Sequence, residues 1–310
     1  MLHDFVPPTP RQGPRRRPVF AAAALAGVCL TAAGCAGDGG PGPGAGPESA
    51  SGPASSTPSS TPSPRRSPVP DASPSSGTAS AKPLPRGPLS GRTVVIDPGH
   101  NPGNRDHTRE INSQVDIGTG RKECDTTGTA TDSGYAEARF TLDVSRRLRT
   151  LLEEQGAKVV LTQDGDRAFG PCVDERARIG NRERADAVVS VHADGSATGN
   201  RGFHVILPAA VNGGGADTAG IVAPSRELGE RIAGNFVRVT GSAPSNYVGG
   251  DTGLDTRDDL GGLNLSTVPK VFIECGNMRD PADAALLTSA GWRQKAALGI
   301  ADGISSYLKR

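Results

Sequence analysis

The stretch Thr93-Val94-Val95-Ile96-Asp97-Pro98-Gly99-His100 decides the fold class of this 310-residue chain. Three consecutive β-branched apolar residues are typical of a strand that is covered on both faces, as in a parallel sheet. The Asp-Pro-Gly sequence that follows predicts a turn at the end of the strand. His100 is therefore expected at the carboxyl end of a buried strand, which is where open α/β sheets bind their ligands.

The rest of the second half of the chain repeats this alternation of short apolar runs and helical patterns. Further strands are predicted at 158–162, 187–191, 202–207 and 271–274. Helices are predicted from 133 or 134 to about 156, and at 173–184, 225–239, 282–287 and 292–308. This order predicts an α/β fold: one domain with a mainly parallel twisted sheet, flanked by helices on both faces.

The first ninety residues differ from the rest in composition. Arg15-Arg16-Arg17 precedes an apolar run at 19–33, the pattern of an export signal, and the run is too short and too rich in Ala to predict a membrane-spanning helix. It ends in Leu30-Thr31-Ala32-Ala33-Gly34-Cys35, which resembles a bacterial lipobox. We expect a signal peptide at 1–35 with Cys35 as a lipid anchor. Ordinary cleavage nearby, which would leave Cys35 incidental, is the alternative.

Residues 36–90 are almost entirely Pro, Gly, Ser, Ala and Thr, and are predicted to form a disordered linker. This leaves 91–310 as the folded domain. The formal net charge of +1 gives no basic field of the kind that nucleic-acid binding requires. Cys124 and Cys172 both lie in polar, loop-like sequence. Because an exported protein meets an oxidising environment, we predict that they form a disulfide.

Polar residues that can carry chemistry follow three of the apolar strands. They are His100, His192 and Glu274, and a fourth, Glu137, lies in the first turn of the long helix after the first strand. In a parallel sheet these positions should converge at one edge. Two imidazoles and a carboxylate form the ligand set of a catalytic zinc ion, and another carboxylate can then act as the base.

Simpler explanations of the same residues stay open at this point. A single His at a strand end is often only a polar boundary residue. Glu137 could be a charge that favours the positive end of the helix dipole. The chain also lacks a compact zinc motif such as H-E-x-x-H.

Four segments together resemble a known family. They are 94–100, the helix that starts around Glu137, Ser190-Val191-His192-Ala193-Asp194, and the run from Val271 to Met278. In this order they resemble the zinc-dependent N-acetylmuramoyl-L-alanine amidases, often called amidase type 3, over essentially all of 91–308. The segments 259–264 and 276–278 are similar to those of the actinobacterial single-domain branch.

The resemblance implies a role for each candidate residue. His100, Glu137 and His192 would bind one Zn²⁺, and Glu274 would be the catalytic carboxylate. Glu110 and Glu123 also lie between the two histidines, but the family places its glutamate at the start of a long helix, which favours Glu137.

Two residues near the last strand are candidates for contacts with substrate. Asn264 could contact the stem peptide. Arg257 could line the substrate groove, and an ordinary solvated charge is the alternative for it. Asp97 is expected to brace the turn or the ligands rather than to bind metal.

The resemblance also implies a function. A zinc amidase catalytic domain at 91–310 would cleave the amide bond between N-acetylmuramic acid and L-alanine in peptidoglycan or its muropeptide fragments. We expect a monomer that works outside the cytoplasm, either as a membrane lipoprotein or secreted to the cell wall, without a nucleic-acid partner. The alternatives are a non-catalytic wall-binding lipoprotein with the amidase fold, or a related zinc peptidoglycan peptidase or deacetylase.

Overall fold

The structure is a computed structural model, and it describes residues 85–309. The predicted signal peptide, the candidate lipid anchor Cys35 and residues 36–84 of the predicted linker lie outside the described residues. Within 85–309, no helix combines the length and the apolar character that crossing a bilayer requires.

The strands of the described residues form one large sheet and two hairpins. The strands are β1 (Thr93–Pro98), β2 (Gln114–Asp116), β3 (Arg121–Glu123), β4 (Lys158–Leu161), β5 (Ala187–Asp194), β6 (His204–Pro208), β7 (Asn212–Gly213), β8 (Ala216–Asp217), β9 (Leu254–Arg257) and β10 (Lys270–Asn277). The large sheet has the order β4-β1-β5-β10-β6-β9, and β2–β3 and β7–β8 are the hairpins.

The large sheet is mainly parallel, which confirms the prediction. β4, β1, β5 and β10 run in one direction, and β6 lies antiparallel to β10. β9 pairs in parallel with β6 and so also runs against the other four strands. All five predicted strands belong to this sheet. The sixth strand, β9, escapes sequence analysis because Leu254-Asp255-Thr256-Arg257 contains no apolar run.

The helices lie close to their predicted bounds. They are α1 (Thr108–Ile111), α2 (Glu137–Glu154), α3 (Val173–Arg182), α4 (Val222–Thr240), α5 (Gly261–Asn264), α6 (Pro281–Leu287) and α7 (Ala290–Leu308). α1 and α5 are single turns inside segments that the sequence analysis left without structure.

Side chains alternate between the two faces of the large sheet. On one face, the main core packs against α2, α4, α6 and α7; its strand residues include Val94, Ile96, Val189, Val191, Val271 and Ile273. Each such side chain contributes about 1.5–3 kcal/mol when it is fully buried. On the other face, a small apolar cluster around Val95 and Val188 lies against Ile179 of α3. The remaining strand positions on this second face are largely polar.

The folded unit begins earlier than the composition predicts. Leu89, placed in the linker because its neighbours are Pro, Gly and Ser, is completely buried in the main core. Its backbone N–H also donates to Gln155 O at 2.9 Å. A single apolar residue does not change local composition, so the predicted boundary at residue 90 is late.

Candidate metal centre

His100 follows β1 in a turn that is held on both sides. The Thr141 hydroxyl of α2 donates to Gly99 O at 2.6 Å, and Gln163 Nε2 donates to His100 O at 3.0 Å. His100 itself has a φ of 60°, in the left-handed region that few non-glycine residues adopt. Such backbone strain is characteristic of functional sites, where the surrounding structure compensates for it.

Three side chains from separate elements meet beside this turn. His100 Nε2 lies 3.2 Å from Glu137 Oε2, and His192 Nδ1 lies 3.1 Å from Glu137 Oε1. One ligand atom from each of the three residues lies within 4.8 Å of the others, and no other such His, Cys, Asp or Glu group occurs within residues 85–309. The rings of His100 and His192 meet edge to face at a centroid distance of 5.0 Å. The structure therefore brings the three predicted ligands together.

Glu137 lies between the two rings because α2 begins there. The buried residues Phe140, Val144 and Leu148 hold one face of α2 in the main core, which sets the direction of its first turn. The backbone N–H groups of Thr129 and Ala193 donate to the two oxygens of Glu137 at 2.9 and 3.2 Å. These contacts orient the carboxylate, so that it can bind a cation without rearrangement.

The pKa values show a site that attracts positive charge. Burial acts against it, but His100 and His192 hold the pKa of Glu137 well below its usual range. Burial would likewise lower the pKa of His100, but the carboxylates of Glu137 and Asp125 raise that pKa to about 10. A cation shared by one carboxylate and two imidazoles is the arrangement of a His₂Glu zinc site, so the donor set fits this ion.

Two glycines leave the space that the ligands occupy. A Cβ on Gly99 would meet the His192 ring at 2.4 Å. A Cβ on Gly128 would lie 2.7 Å from both Glu137 and His100, and Gly128 also has a positive φ. Side chains at these two positions would therefore collide with the proposed ligands His192, Glu137 and His100.

Glu274 lies on the same sheet face as His192. The two residues are register partners on the parallel strands β10 and β5, and His204 of β6 is the partner of Glu274 on its other side. Glu274 Oε2 is buried and has no hydrogen-bond partner among the described residues. Burial and the neighbouring Glu137 carboxylate raise the pKa of Glu274 well above its usual range. Two nearby carboxylates with pKa values shifted in opposite directions are typical of residues with different roles in one site.

A chain of buried charges lies behind the ligands, and we call it the buried charge network. It consists of Lys270, Asp97, Arg176 and Asp125, each at most 5% exposed. Asp97 accepts from Lys270 at 3.2 Å and from Arg176 at 2.7 Å, and Arg176 also donates to Asp125 at 2.8 Å. Asp125 Oδ1 then lies 3.5 Å from His100 Nδ1. The network therefore connects Lys270, at the start of β10, to His100, one of the three proposed ligands.

Only Asp97 of these four residues has a role that the sequence predicts. Asp97 was expected to brace the turn or the ligands; it accepts from the Ser190 hydroxyl at 2.9 Å, and that hydroxyl lies 3.2 Å from His192 Nε2. Lys270, Arg176 and Asp125 were missed. One feature of the sequence could have indicated the network. Lys270 is a charged residue at the start of the apolar strand β10, on the face that also carries Phe272 and Glu274.

The segment between β1 and α2 is ordered by a disulfide between Cys124 and Cys172. The bond ties the residue before Asp125 to the residue that precedes α3, the helix that carries Arg176. The disulfide thus cross-links the two chain segments that carry Arg176 and Asp125.

The two candidate substrate contacts, Arg257 and Asn264, differ in whether they line the depression at the metal centre. Arg257 lines the same depression as Glu274 and His192, where its guanidinium donates twice to Asp259, at 2.7 Å each. Asn264 does not reach this depression. It is 1% exposed, and its Nδ2 donates to Asp258 O at 2.7 Å, so it holds a loop together.

Neither of the two alternative glutamates belongs to the group of three ligand atoms. Glu110 and Glu123 are both exposed, on α1 and β3. The Glu110 carboxylate lies 3.9 Å from His107 in the same segment.

Comparison with known proteins gives consistent matches over this domain. A family model described as N-acetylmuramoyl-L-alanine amidase matches residues 94–306. N-acetylmuramoyl-L-alanine amidase Rv3717 of Mycobacterium tuberculosis is 42% identical over 236 residues, which are 74% of this chain and 91% of that protein.

Solved structures agree with the sequence matches. The amidase Ami1 from Mycobacterium smegmatis matches with a TM-score of 0.65 and 41% identity, over 71% of this chain and 98% of the other. The apo form of Ami1 from Mycobacterium abscessus gives the same TM-score and identity, over 71% of this chain and 100% of the other.

Proposed function

The chain belongs to the N-acetylmuramoyl-L-alanine amidase family, and we propose that it acts with one zinc ion held by His100, Glu137 and His192 and with Glu274 as the catalytic carboxylate. It is a peptidoglycan hydrolase that cleaves the amide bond between N-acetylmuramic acid and the L-alanine of the stem peptide. We propose the identity of the metal, the role of each residue and the cellular location.

The three ligands supply what a catalytic zinc ion requires. Bound in such a site, zinc polarises a carbonyl group and lowers the pKa of water to about 7. Three protein ligands leave room for water and substrate. Thr129 and Ala193 hold the Glu137 carboxylate, and Thr126 O lies 3.1 Å from His100 Nδ1, so contacts from the surrounding chain orient both ligands.

Glu274 performs the proton transfers. It removes a proton from the attacking water and returns a proton to the leaving nitrogen of L-alanine. A carboxyl group whose pKa is raised by burial and by a neighbouring carboxylate can do both. The supporting observation is the unpartnered Oε2 of Glu274 on the sheet face that carries His192. Arg257, which lines the same depression, is proposed to contact substrate.

The observation that carries this proposal is the convergence of three ligand atoms from three separate elements beside an unpartnered carboxylate. It is tested by digesting purified peptidoglycan and identifying the broken bond by mass spectrometry, with and without a chelator. We expect peptides with a free N-terminal L-alanine, no cleavage after chelation, and recovery when zinc is added back.

Other products would contradict the proposal in distinguishable ways. Cleavage inside the stem peptide would indicate a peptidase, and loss of acetyl groups from the glycan would indicate a deacetylase. Binding to the wall without any cleavage would indicate a non-catalytic wall-binding protein. Activity that survives complete removal of metal would contradict the proposed role of zinc.

We place the enzyme outside the cytoplasm, as a monomer that acts on peptidoglycan or its fragments. The support is the export pattern of the sequence, which ends at Cys35, the candidate lipid anchor. The anchor is tested by Cys35→Ala, which should move the protein from the membrane fraction to the soluble fraction. Unchanged fractionation would contradict lipidation.

A further inference from the structure

The side chain of Ser190 lies between the buried charge network and one of the proposed metal ligands. Ser190 and His192 are two positions apart on β5, so their side chains point to the same face of the sheet. Ser190 is 1% exposed. Its hydroxyl oxygen lies 2.9 Å from Asp97 Oδ2 and 3.2 Å from His192 Nε2, so it contacts both groups at hydrogen-bond distance.

The carboxylate of Asp97 decides where the hydroxyl proton of Ser190 goes. Asp97 also accepts from Thr162 at 2.7 Å, from Arg176 at 2.7 Å and from Lys270 at 3.2 Å. Burial raises the pKa of Asp97, but the two cations hold it well below its usual range. An ionised carboxylate only accepts hydrogen bonds, so the single hydroxyl proton of Ser190 points to Asp97. The Ser190 oxygen is then an acceptor for a second donor.

That second donor is the ring of His192, which presents Nε2–H to Ser190. In a neutral imidazole with its proton on Nε2, the other ring nitrogen, Nδ1, is unprotonated. His192 Nδ1 lies 3.1 Å from Glu137 Oε1, within the group of three ligand residues. Metal binding requires an unprotonated imidazole nitrogen. The contact with Ser190 therefore selects the tautomer of His192 that can bind a metal beside Glu137.

Stacking on Phe272 does not by itself fix the orientation of this ring. The rings of His192 and Phe272 stack with a centroid distance of 5.1 Å and an interplanar angle of 18°. Stacking sets the plane of the imidazole, but the plane is the same after a half-turn of the ring about its Cβ–Cγ bond. That half-turn would place a carbon atom, instead of Nδ1, beside Glu137. A directional hydrogen bond distinguishes the two orientations, and Ser190 provides one at Nε2.

The other proposed histidine ligand is held by the opposite end of the same network. Asp125 Oδ1 accepts the backbone N–H of Thr126 at 2.8 Å, and Thr126 O lies 3.1 Å from His100 Nδ1. A carbonyl oxygen only accepts, so His100 carries its proton on Nδ1 and leaves Nε2 for the metal. Arg176 joins Asp125 to Asp97. One buried network therefore holds both imidazole rings.

We propose that Ser190 is a positioning residue of the zinc site: its hydroxyl accepts from His192 Nε2, donates to Asp97 and so directs Nδ1 of His192 toward the metal. This role rests on the proposed function, because it matters only if His192 binds zinc. Contacts of this kind to the second nitrogen of a metal-binding histidine fix its tautomer and orientation. Their loss typically weakens metal binding about 10- to 100-fold.

The first test measures the zinc affinity of the full-length protein by competition with a chromogenic chelator. Ser190→Ala should bind zinc about 10- to 100-fold more weakly than wild type. The matched control is Ser145→Ala: Ser145 of α2 is also completely buried, but its hydroxyl has no hydrogen-bond partner in the part of the chain that the structure describes. Its zinc affinity should equal that of wild type. Ser190→Thr keeps the hydroxyl on a strand, where threonine is favoured, and should recover most of the affinity.

A spectroscopic measurement separates positioning from general damage to the fold. The ring nitrogens of the ¹⁵N-labelled, zinc-loaded protein are observed by NMR, and only five histidines need to be assigned. In wild type, His192 should show a protonated Nε2 whose proton exchanges slowly with water. In Ser190→Ala this proton should exchange faster. The His100 signals should stay unchanged, because the contact of His100 with Thr126 O is retained.

Two results would overturn the role of Ser190: wild-type zinc affinity in Ser190→Ala, or a wild-type protein in which His192 binds zinc through Nε2. Weaker binding with an unchanged His192 signal would also overturn it, since the ring would then keep its orientation without the hydroxyl. Thermal unfolding shows whether each variant is folded, and the wild-type spectrum tests the tautomer even if Ser190→Ala is not. A wild type that binds no zinc at all would instead contradict the proposed metal site.

Discussion

Glu274 and His192 are register partners on neighbouring parallel strands, so that the proposed catalytic carboxylate and one proposed metal ligand lie on the same face of the sheet. Adjacent strands are about 4.8 Å apart. The sheet backbone, rather than a flexible loop, therefore sets the separation of the two side chains.

Glu274→Gln should lower amidase turnover on peptidoglycan by about 10²- to 10⁴-fold, because an amide cannot accept a proton from water. Zinc content and thermal stability should stay close to those of wild type, since Glu274 is not one of the three ligands. The matched control is Glu230→Gln, an exposed glutamate of α4. Turnover near the wild-type rate in Glu274→Gln would remove Glu274 from the mechanism.

Gly99→Ala should weaken zinc binding about 10- to 100-fold. The added methyl group would meet the His192 ring, which must rotate away from Glu137. The measurement is zinc affinity by competition with a chromogenic chelator. Gly234→Ala is the control: its Cβ meets nothing within 4 Å on α4, and alanine should stabilise that helix by about 1 kcal/mol without changing zinc affinity. Unaltered affinity in Gly99→Ala would contradict the predicted displacement of a metal-binding His192 ring.

Asp97→Asn should change stability most at neutral pH. Burial acts against it, but Lys270 and Arg176 hold the pKa of Asp97 well below its usual range. Its contribution is thus fully present above the unfolded-state pKa of about 3.9 and is lost as pH falls below that value. The variant should lose about 3–5 kcal/mol at pH 7, because buried Lys270 loses its carboxylate partner and Arg176 loses one of its two.

The measurement is the free energy of unfolding in urea between pH 2 and pH 7. The difference between wild type and Asp97→Asn should shrink as pH falls below about 4. Asp302→Asn, in a surface pair with Arg238, should cost about 0–1 kcal/mol. A pH-independent difference for Asp97→Asn would contradict the depressed pKa.

Removing the disulfide with Cys124→Ala and Cys172→Ala together should lower the free energy of unfolding by about 2–4 kcal/mol, because the two residues close a loop with a sequence separation of 48. Zinc affinity should fall as well, since the bond holds Asp125 near His100. A reductant should reproduce both effects in wild type and change nothing in the double variant. A wild type that is insensitive to reductant under unfolding conditions would contradict the prediction.

The chain's own sequence was enough to predict five of the six strands of the large sheet, its longer helices and the positions of the candidate site residues. Runs such as Val94-Val95-Ile96 and Val271-Phe272-Ile273 are local signals. A strand that is buried on both faces of its sheet needs such a continuous apolar run, so the run alone predicts the strand. A polar residue at the end of each run then lies at the ligand-binding edge, which is how His100, His192 and Glu274 were found.

Contacts between distant residues were decided only by the tertiary structure. Lys270 and Asp97 are 173 positions apart, and nothing near either residue indicates that they form an ion pair. The burial of Leu89 and of Asn264, and the pairing of β9 with β6, likewise depend on neighbours that packing brings close. Hydrophobic periodicity reports how one segment meets the core, whereas charge pairing and cavity shape depend on which segments meet each other.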